Sequence, residues 1–146
     1  MITDALHTFS NAQAVTVTAL GTDVADLGPN ARDIGPGFPL KVAFGVTATV
    51  TGATSVEFQI VTGTDATITT PTVLASSGAV VIAQLTAGRA PIEVTIPPSV
   101  VAALGQRYMG VRYVVVGTAT AGAFNADGVA DVPTPNKHYP SGYSIA

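Results

Sequence analysis

Apolar and polar residues alternate one by one along most of this chain. In residues 55–60 (SVEFQI) the apolar Val, Phe and Ile occupy every second position, with Glu and Gln between them. Residues 15–18 and 92–96 repeat the alternation. Successive side chains of a strand point to opposite faces, so each segment predicts a strand with one face on a core and the other on water. Further strands are predicted at residues 40–50, 73–76, 80–85, 108–116 and 123–132.

Turn-forming residues separate these segments. Ser77-Gly78 and Asp127-Gly128 predict hairpin tips, the second of type I′. One short helical turn is predicted at residues 99–105, where a Ser stands as N-cap and a Gly ends the turn. Short strands at this spacing, without helical crossovers between them, predict an all-β protein. We expect an antiparallel β-sandwich or jelly roll rather than βαβ units.

The length of 146 residues fits one domain, and we expect a single sandwich over residues 1–146. The two ends differ from the middle. Residues 1–13 form an expected N-terminal arm with apolar residues but no alternation, and residues 133–146 form an expected C-terminal tail with prolines and two tyrosines. Solvated tails rarely carry this much apolar and aromatic surface. We therefore expect both ends to dock, on their own domain or on a neighbour.

Only 10% of the residues are charged, against roughly 25% in ordinary soluble domains. The surface must therefore consist largely of Thr, Ser, Ala, Gly and aliphatic groups, which favours lasting contact with another protein. The net charge of −3 and the scattered basic residues argue against a nucleic-acid partner. No apolar run is long enough to cross a bilayer, and the first residues lack the features of a signal peptide. We expect neither membrane insertion nor export.

Groups able to do chemistry are few and scattered. His7 and His138 lie at opposite ends of the chain, and Cys is absent. Asn125, Asp127 and Asp131 resemble part of a calcium loop, but the first ligand position and the distal Glu are missing, so an ordinary turn is the preferred interpretation. We expect no enzyme activity, no cofactor and no metal.

Acidic residues also gather between the strands predicted at residues 15–18 and 40–50. Asp23, Asp26 and Asp33 lie close together in the sequence, with Arg32 next to the last of them. An ion pair within the loop, or an Asx-turn, is the preferred interpretation over a paired-carboxylate hydrolase site.

Four segments occur in this order: MITDALHTFSNAQAVTVTA, DLGPNARDIGPGFPL, RYMGVRYVVVGTATAGAFNADGVAD and HYPSGYSIA. Together they resemble the small capsid cement, or decoration, proteins of tailed bacteriophages. The similarity runs from one end of the chain to the other, which makes it more specific than a short motif. It implies a jelly-roll sandwich on the outer surface of the virion head, made in the host cytoplasm. Such a protein bridges neighbouring major capsid subunits, often as a homodimer, although a trimer also fits this composition.

The residues expected to carry these contacts lie on the two ends and in one loop. Each could instead pack within its own domain or form a loop ion pair. Buried aromatic and aliphatic anchors dominate interface energetics when they fill pockets. The candidate capsid or oligomer contacts are Leu6, Phe9, Arg32, Asp33, Tyr139, Tyr143 and Ile145.

Two other functions remain open. One is a carbohydrate-binding or adhesion sandwich on the virion, and the other is an immunoglobulin-like tail or surface module. A sugar site would need an exposed aromatic platform or a calcium-bridged loop. The chain has no Trp, and Tyr108 and Tyr113 point to opposite faces of one predicted strand. Tyr113 is expected in the core.

Overall fold

The computed structural model describes residues 7–28, 40–96 and 106–129, and their regular structure is almost entirely β. A 3₁₀ turn, Ile82–Gln84, follows the fifth strand. The helical turn predicted at residues 99–105 lies outside the described residues. The strands are β1 (Thr8–Ala14), β2 (Ala19–Leu20), β3 (Ala25–Asp26), β4 (Lys41–Gly63), β5 (Thr72–Val81), β6 (Ile92–Thr95) and β7 (Tyr108–Val129).

The long strands β4 and β7 pair antiparallel along their whole length. Straight strands of 23 and 22 residues would extend about 75 Å, far beyond a domain whose radius of gyration is about 15 Å. The pair bends where its register shifts repeatedly, between Val46 and Ser55. Gly52 lies there with φ +85°, and a Cβ at this position would stand 2.6 Å from the carbonyl oxygen of Thr118. Glycine therefore permits the corner.

The bend divides the sheet into two layers of four strands. In the first layer, residues 41–50 of β4 lie between β6 and residues 121–129 of β7, and β1 forms the far edge. In the second layer, residues 53–63 of β4 lie between β5 and residues 108–117 of β7. The short strands β2 and β3 together form its far edge.

This connectivity is that of a jelly roll. The halves of β4 and β7 count as separate strands and β2 with β3 as one, which gives eight strands in chain order. The first layer then has the order 1-8-3-6 and the second 2-7-4-5, two interlocked Greek keys. The prediction of an all-β antiparallel sandwich with jelly-roll character is confirmed.

Four aromatic rings fill the space between the layers. Phe44 and Phe124 come from the first layer, and Phe58 and Tyr113 come from the second. Neighbouring ring centroids lie 5.1–6.0 Å apart, mostly in tilted or edge-to-face geometry. All four side chains are fully buried, so the core position predicted for Tyr113 is confirmed. Its hydroxyl lies 2.5 Å from the hydroxyl of Ser10, which satisfies both buried groups.

The hairpin predicted at Ser77-Gly78 is wrong. These residues form a bulge within β5, because Glu57 pairs with Ala79 whereas Gln59 pairs with Ser76, which leaves one extra residue on β5. The two strands predicted at residues 73–76 and 80–85 are therefore one strand, which ends at Val81.

The turn predicted at Asp127-Gly128 is also wrong. Both residues lie inside β7, where they pair with Ala43 and Val42 of β4. A Cβ on Gly128 would lie 3.3 Å from the Cβ of His7. Here glycine permits close packing of the N-terminal segment rather than a reversal of the chain.

Candidate protein-binding surface

The outer face of the second layer carries an apolar surface that the core does not cover. On β4, Val56, Phe58 and Ile60 point inward, so the residues between them point outward. Residues paired with those outward positions share the same face. We call the following set the valine face: Ser55, Glu57, Gln59 and Val61 of β4, Val73, Ser76, Ala79 and Val81 of β5, and Arg112, Val114 and Val116 of β7. Ser55 and Val61 are themselves buried.

Three valines on this face are strongly exposed. Val73 is 45% exposed, and Val81 and Val116 are each 51% exposed. Val81 and Val116 flank Ser55 on neighbouring strands. Val24 borders the same face, since its Cγ1 lies beside the backbone of Gly110. Val73 lies further along the face, opposite Val61 of β4. These exposed valines make the face a candidate for contact with another protein.

A small polar group occupies the centre of the valine face. The carboxylate of Glu57 accepts hydrogen bonds from Ser76 Oγ (2.5 Å) and Gln59 Nε2 (2.8 Å). These bonds, with the charge of Arg112 nearby, lower the pKa of Glu57 below its usual value. The face therefore presents one fixed carboxylate and one guanidinium, surrounded by aliphatic groups.

One edge of the valine face is the strand β5, which ends the hydrogen-bonded order β1-β7-β4-β5. Native sheets usually protect such edges with Lys, Pro or very short strands. β5 is ten residues long, and its sequence TVLASSGAVV contains neither a charge nor a proline. Two irregularities interrupt its pairing with β4, one at Ser77-Gly78 and one at Leu74, and such bulges are one way in which edges are protected.

The loop between β4 and β5 borders the other end of this face. Asp65 accepts hydrogen bonds from the backbone N–H of Thr67 (3.0 Å) and from Thr69 Oγ1 (2.8 Å). The hydroxyls of Thr67 and Thr69 together hold the pKa of Asp65 below its usual value. The loop thereby carries Ile68, 2% exposed, onto Gly63 and Gly110. This border is fixed by hydrogen bonds and packing.

The outer face of the first layer carries charged and polar side chains beside the buried pair Ala43 and Val129. Lys41 Nζ and Glu93 Oε2 lie 3.5 Å apart across neighbouring strands. Asp127 accepts a hydrogen bond from Thr8 Oγ1 (2.9 Å), and Asn125 Oδ1 accepts one from the backbone N–H of Ala12 (2.5 Å). The oxygens that resembled a calcium loop thus hold β1 against β7.

The structure places one of the sequence-predicted contact residues. Phe9 lies on β1 with 2% of its side chain exposed, inside the hydrophobic core. This position favours packing within its own domain, the alternative considered for this residue. Part of the expected N-terminal arm is therefore a strand of the sandwich. The other candidates, Leu6, Arg32, Asp33, Tyr139, Tyr143 and Ile145, lie outside the described residues.

Asp26 forms an ion pair, but with Arg107, which is distant in sequence, rather than with a residue of its own loop. Arg32 and Asp33 of that loop lie outside the described residues. Arg107 Nε and Nη2 donate to the two carboxylate oxygens of Asp26 at 2.7 and 2.5 Å. The backbone N–H of Gly28 also donates to Asp26, as in an Asx-turn. These contacts, Arg107 first, lower the pKa of the exposed Asp26 to about 2. The guanidinium also lies 5.1 Å from the ring centroid of Tyr108.

The valine face was not predicted, although the sequence contains a pattern that indicates it. In residues 113–116 (YVVV) the side chains on both faces of the strand are apolar, whereas a half-buried strand has polar side chains on one face. Apolar residues on both sides of a strand in a two-layer protein indicate a second covered surface.

Within the three described ranges, no helix has the length and hydropathy of a membrane span. Over the same ranges, no three His, Cys, Asp or Glu side chains are grouped so as to hold a metal ion.

Comparison with known proteins identifies one family. A family model described as Bbp16 matches residues 9–127, which run from the start of β1 nearly to the end of β7. No curated protein matches the chain.

Proposed function

This chain belongs to the Bbp16 family, and we propose that it is a structural virion protein, a capsid cement protein of a tailed bacteriophage. It binds the outside of the assembled head and bridges adjacent major capsid subunits. The proposal rests on the end-to-end sequence resemblance. The structural observation that supports it most is the valine face, an exposed aliphatic surface on a hydrogen-bonded β-sandwich.

The mechanism follows from the mechanics of a pressurised shell. Packaged DNA pushes outward, and a shell fails where its subunits separate. A protein that contacts two subunits adds interface area that must be broken before they part, and a specific contact needs about 1,000 Å² or more. Because the protein binds the assembled state, mass action stabilises that state. Many modest contacts then sum over the shell.

A rigid body suits this function better than a flexible one. The long β4–β7 pair joins both layers by backbone hydrogen bonds, and four packed rings hold the layers together. A load applied at one end is therefore carried through the sheet to the other. A loop-rich linker would extend before it resisted.

Purified protein mixed with heads that lack it tests the proposal. We expect saturable co-sedimentation at micromolar concentration, and decorated heads should retain their DNA to a higher temperature than bare heads. Absence of both effects would contradict a cement function. Clear hits on a glycan array without head binding would favour the carbohydrate-binding alternative.

A second arm of the same experiment tests the proposed tail contacts. Trimming residues 133–146 removes Tyr139, Tyr143 and Ile145 and should weaken head binding while the sandwich stays folded. Circular dichroism of the trimmed protein checks the fold. If trimmed protein binds heads with unchanged affinity, the tail is not the capsid contact.

A further inference from the structure

We propose that a groove on the outer face of the second layer binds an extended, acidic segment of another protein. This segment presents a carboxylate to Arg112 and, two residues away, an apolar side chain to an adjoining cavity. Under the proposed function, on which this inference rests, the segment belongs to the major capsid protein. The inference names the chemistry that the partner supplies.

Two adjoining cavities form this groove. The first has a volume of about 290 Å³ and lies over Gly110, and the second, of about 330 Å³, is lined by Arg112. Leu20, Thr67 and Ile68 line both cavities, so the two are parts of one depression. We call this depression the Arg112 groove. It lies between the edge strand β2 and the loop that joins β4 to β5, and its size is that of a ligand site.

The first cavity has apolar walls because Gly110 has no side chain. Gly110 points outward, as Arg112 does, since Val111 between them is fully buried. A Cβ on Gly110 would stand 3.0 Å from Val24 Cγ1 and 3.0 Å from Ile68 Cδ1. These two side chains therefore fold over the glycine and border the cavity, which suits an aliphatic side chain of a ligand.

Hydrogen bonds hold both walls of the Arg112 groove in place. On one side, Gln13 Nε2 donates to the carbonyl oxygen of Leu20 (2.8 Å), and Gln13 Oε1 accepts from the backbone N–H of Thr22 (3.1 Å). On the other side, Asp65 holds the loop through its hydrogen bonds to two threonines. A preformed groove loses little conformational entropy when a ligand binds, which favours a specific ligand.

Arg112 supplies the charge that selects the ligand. Its side chain is half-buried, and within residues 7–28, 40–96 and 106–129 it has no ion pair and no hydrogen bond. Its charge contributes to the lowered pKa of Glu57. A guanidinium carries five N–H donors in a planar fork that matches a carboxylate. The donors of Arg112 therefore favour an acidic ligand.

The spacing of these two features gives the sequence pattern of the ligand. Gly110 and Arg112 are two residues apart on β7, or about 6.6 Å along the strand. An extended peptide that runs alongside β7 places every second side chain on one face at the same repeat. We expect an apolar residue and an Asp or Glu at positions i and i+2 of the bound segment, in either order.

The location of the Arg112 groove favours a partner that also covers the valine face. Arg112 belongs to both surfaces, so a protein seated on the exposed valines can extend a segment into the groove. The chain's own tail is a poorer candidate, because residues 133–146 contain no Asp or Glu.

Co-sedimentation of single variants with heads that lack the protein tests the inference. Arg112→Gln should weaken head binding at least about tenfold, since charge-assisted hydrogen bonds are lost. Arg112→Lys keeps the charge but not the planar fork, and its affinity should fall between the two. Arg89→Gln removes a charge from the segment between Gln84 and β6 and is the matched control. It should bind as the wild type does.

A second pair of variants tests the first cavity. Ala66 is exposed and lines this cavity, so Ala66→Phe should fill it. Head binding should weaken about tenfold or more, since an aliphatic side chain of the partner is no longer buried there. Ala83→Phe, at an exposed position of the 3₁₀ turn, is the control and should bind normally. Circular dichroism confirms that each variant is folded.

Cross-linking identifies the segment that lies in the groove. The chain has no Cys, so Thr70→Cys provides a single site for a benzophenone label. Thr70 is exposed and lies between Thr69 and Pro71, which line the second cavity. Illumination of decorated heads should join the label to a capsid-protein segment with the expected pattern, as identified by mass spectrometry. A cross-link confined to this chain, or to a capsid segment without an acidic residue, would overturn the inference.

Head binding separates this inference from the proposed function. If the wild type binds heads, and Arg112→Gln and Ala66→Phe bind them equally well, the groove is not the contact and the cement function stands. A wild type that binds no heads contradicts both proposals. Weaker binding by these two variants, with both controls unchanged, supports both.

Discussion

The second layer has two apolar faces, and they differ in what covers them. On the inner face, Phe58 and Tyr113 are fully buried against the rings of the first layer. On the outer face, Val116 of β7 and Val81 of β5 are half exposed. The outer face also carries polar side chains, among them Glu57 and Arg112. The comparison teaches that packing within the fold accounts for the inner face, whereas the described residues leave valines of the outer face exposed, which supports the proposed contact with another protein.

The largest expected effect is a difference in stability loss between two truncated variants, one on each face. Phe58→Ala removes a ring that contacts three other rings and should lower the free energy of unfolding by about 3–5 kcal/mol. Val116→Ala should change it by less than about 0.5 kcal/mol, since the side chain is half exposed. Denaturant unfolding measures both under conditions where the protein is monomeric. Equal losses would show that the two faces are not distinct.

A smaller effect concerns the polar pair on the inner face. Tyr113→Phe leaves the buried Ser10 hydroxyl without its partner and should cost about 1 kcal/mol at neutral pH. Burial raises the pKa of Tyr113 to about 12, above its ordinary value of about 10. Its contribution is therefore complete below about pH 10 and is lost as the pH rises through about 12.

The pH dependence of stability in the alkaline range also distinguishes the inner face of the second layer from its outer face. Unfolding of wild type and Tyr113→Phe, measured from neutral to alkaline pH, should show a steeper loss of stability in the wild type. Tyr108→Phe, on the outer side beside Arg107, serves as the control and should keep the wild-type slope. If Tyr113→Phe loses stability in parallel with the wild type, another group causes the alkaline transition.

The smallest effect concerns the exposed ion pair at the rim of the second layer. Arg107 holds the pKa of Asp26 at about 2, below its model-compound value of 3.8. The favourable interaction is complete above pH 3.8 and is lost as the pH falls through about 2. In an NMR titration, Arg107→Met should move the midpoint of Asp26 upward towards the ordinary value, whereas Arg89→Met should leave it unchanged. A midpoint that does not move would mean that Arg107 is not the cause.

Most strands and the core could be predicted from the sequence because alternation reports burial directly. The strand predicted at residues 15–18 is wrong, since this alternating segment forms a bend between β1 and β2. Residues 55–60 show it without interruption, and Tyr113 was correctly placed in the core. The bend of β4 and β7 could not be predicted from the sequence. It lies inside strands whose pairing continues on both sides of Gly52, and the need for glycine there depends on the closeness of Thr118 in the opposite strand. At Asp127-Gly128 local turn chemistry was overridden by pairing with β4.

The candidate surface was harder to predict than the fold. Its members come from three strands, and they form one face only after the register between β4, β5 and β7 is known. Phe9 was harder to place for a different reason. Its apolar side chain in a segment without alternation suggested an external anchor, but β1 pairs with β7 and carries it into the core. A single exposed or buried aromatic residue has the same appearance in a sequence.

Electron cryomicroscopy of heads that lack the protein, before and after its addition, tests the central claim most directly. The account predicts ordered added density outside the shell, at junctions between major capsid subunits. Heads that remain bare at micromolar protein would contradict it.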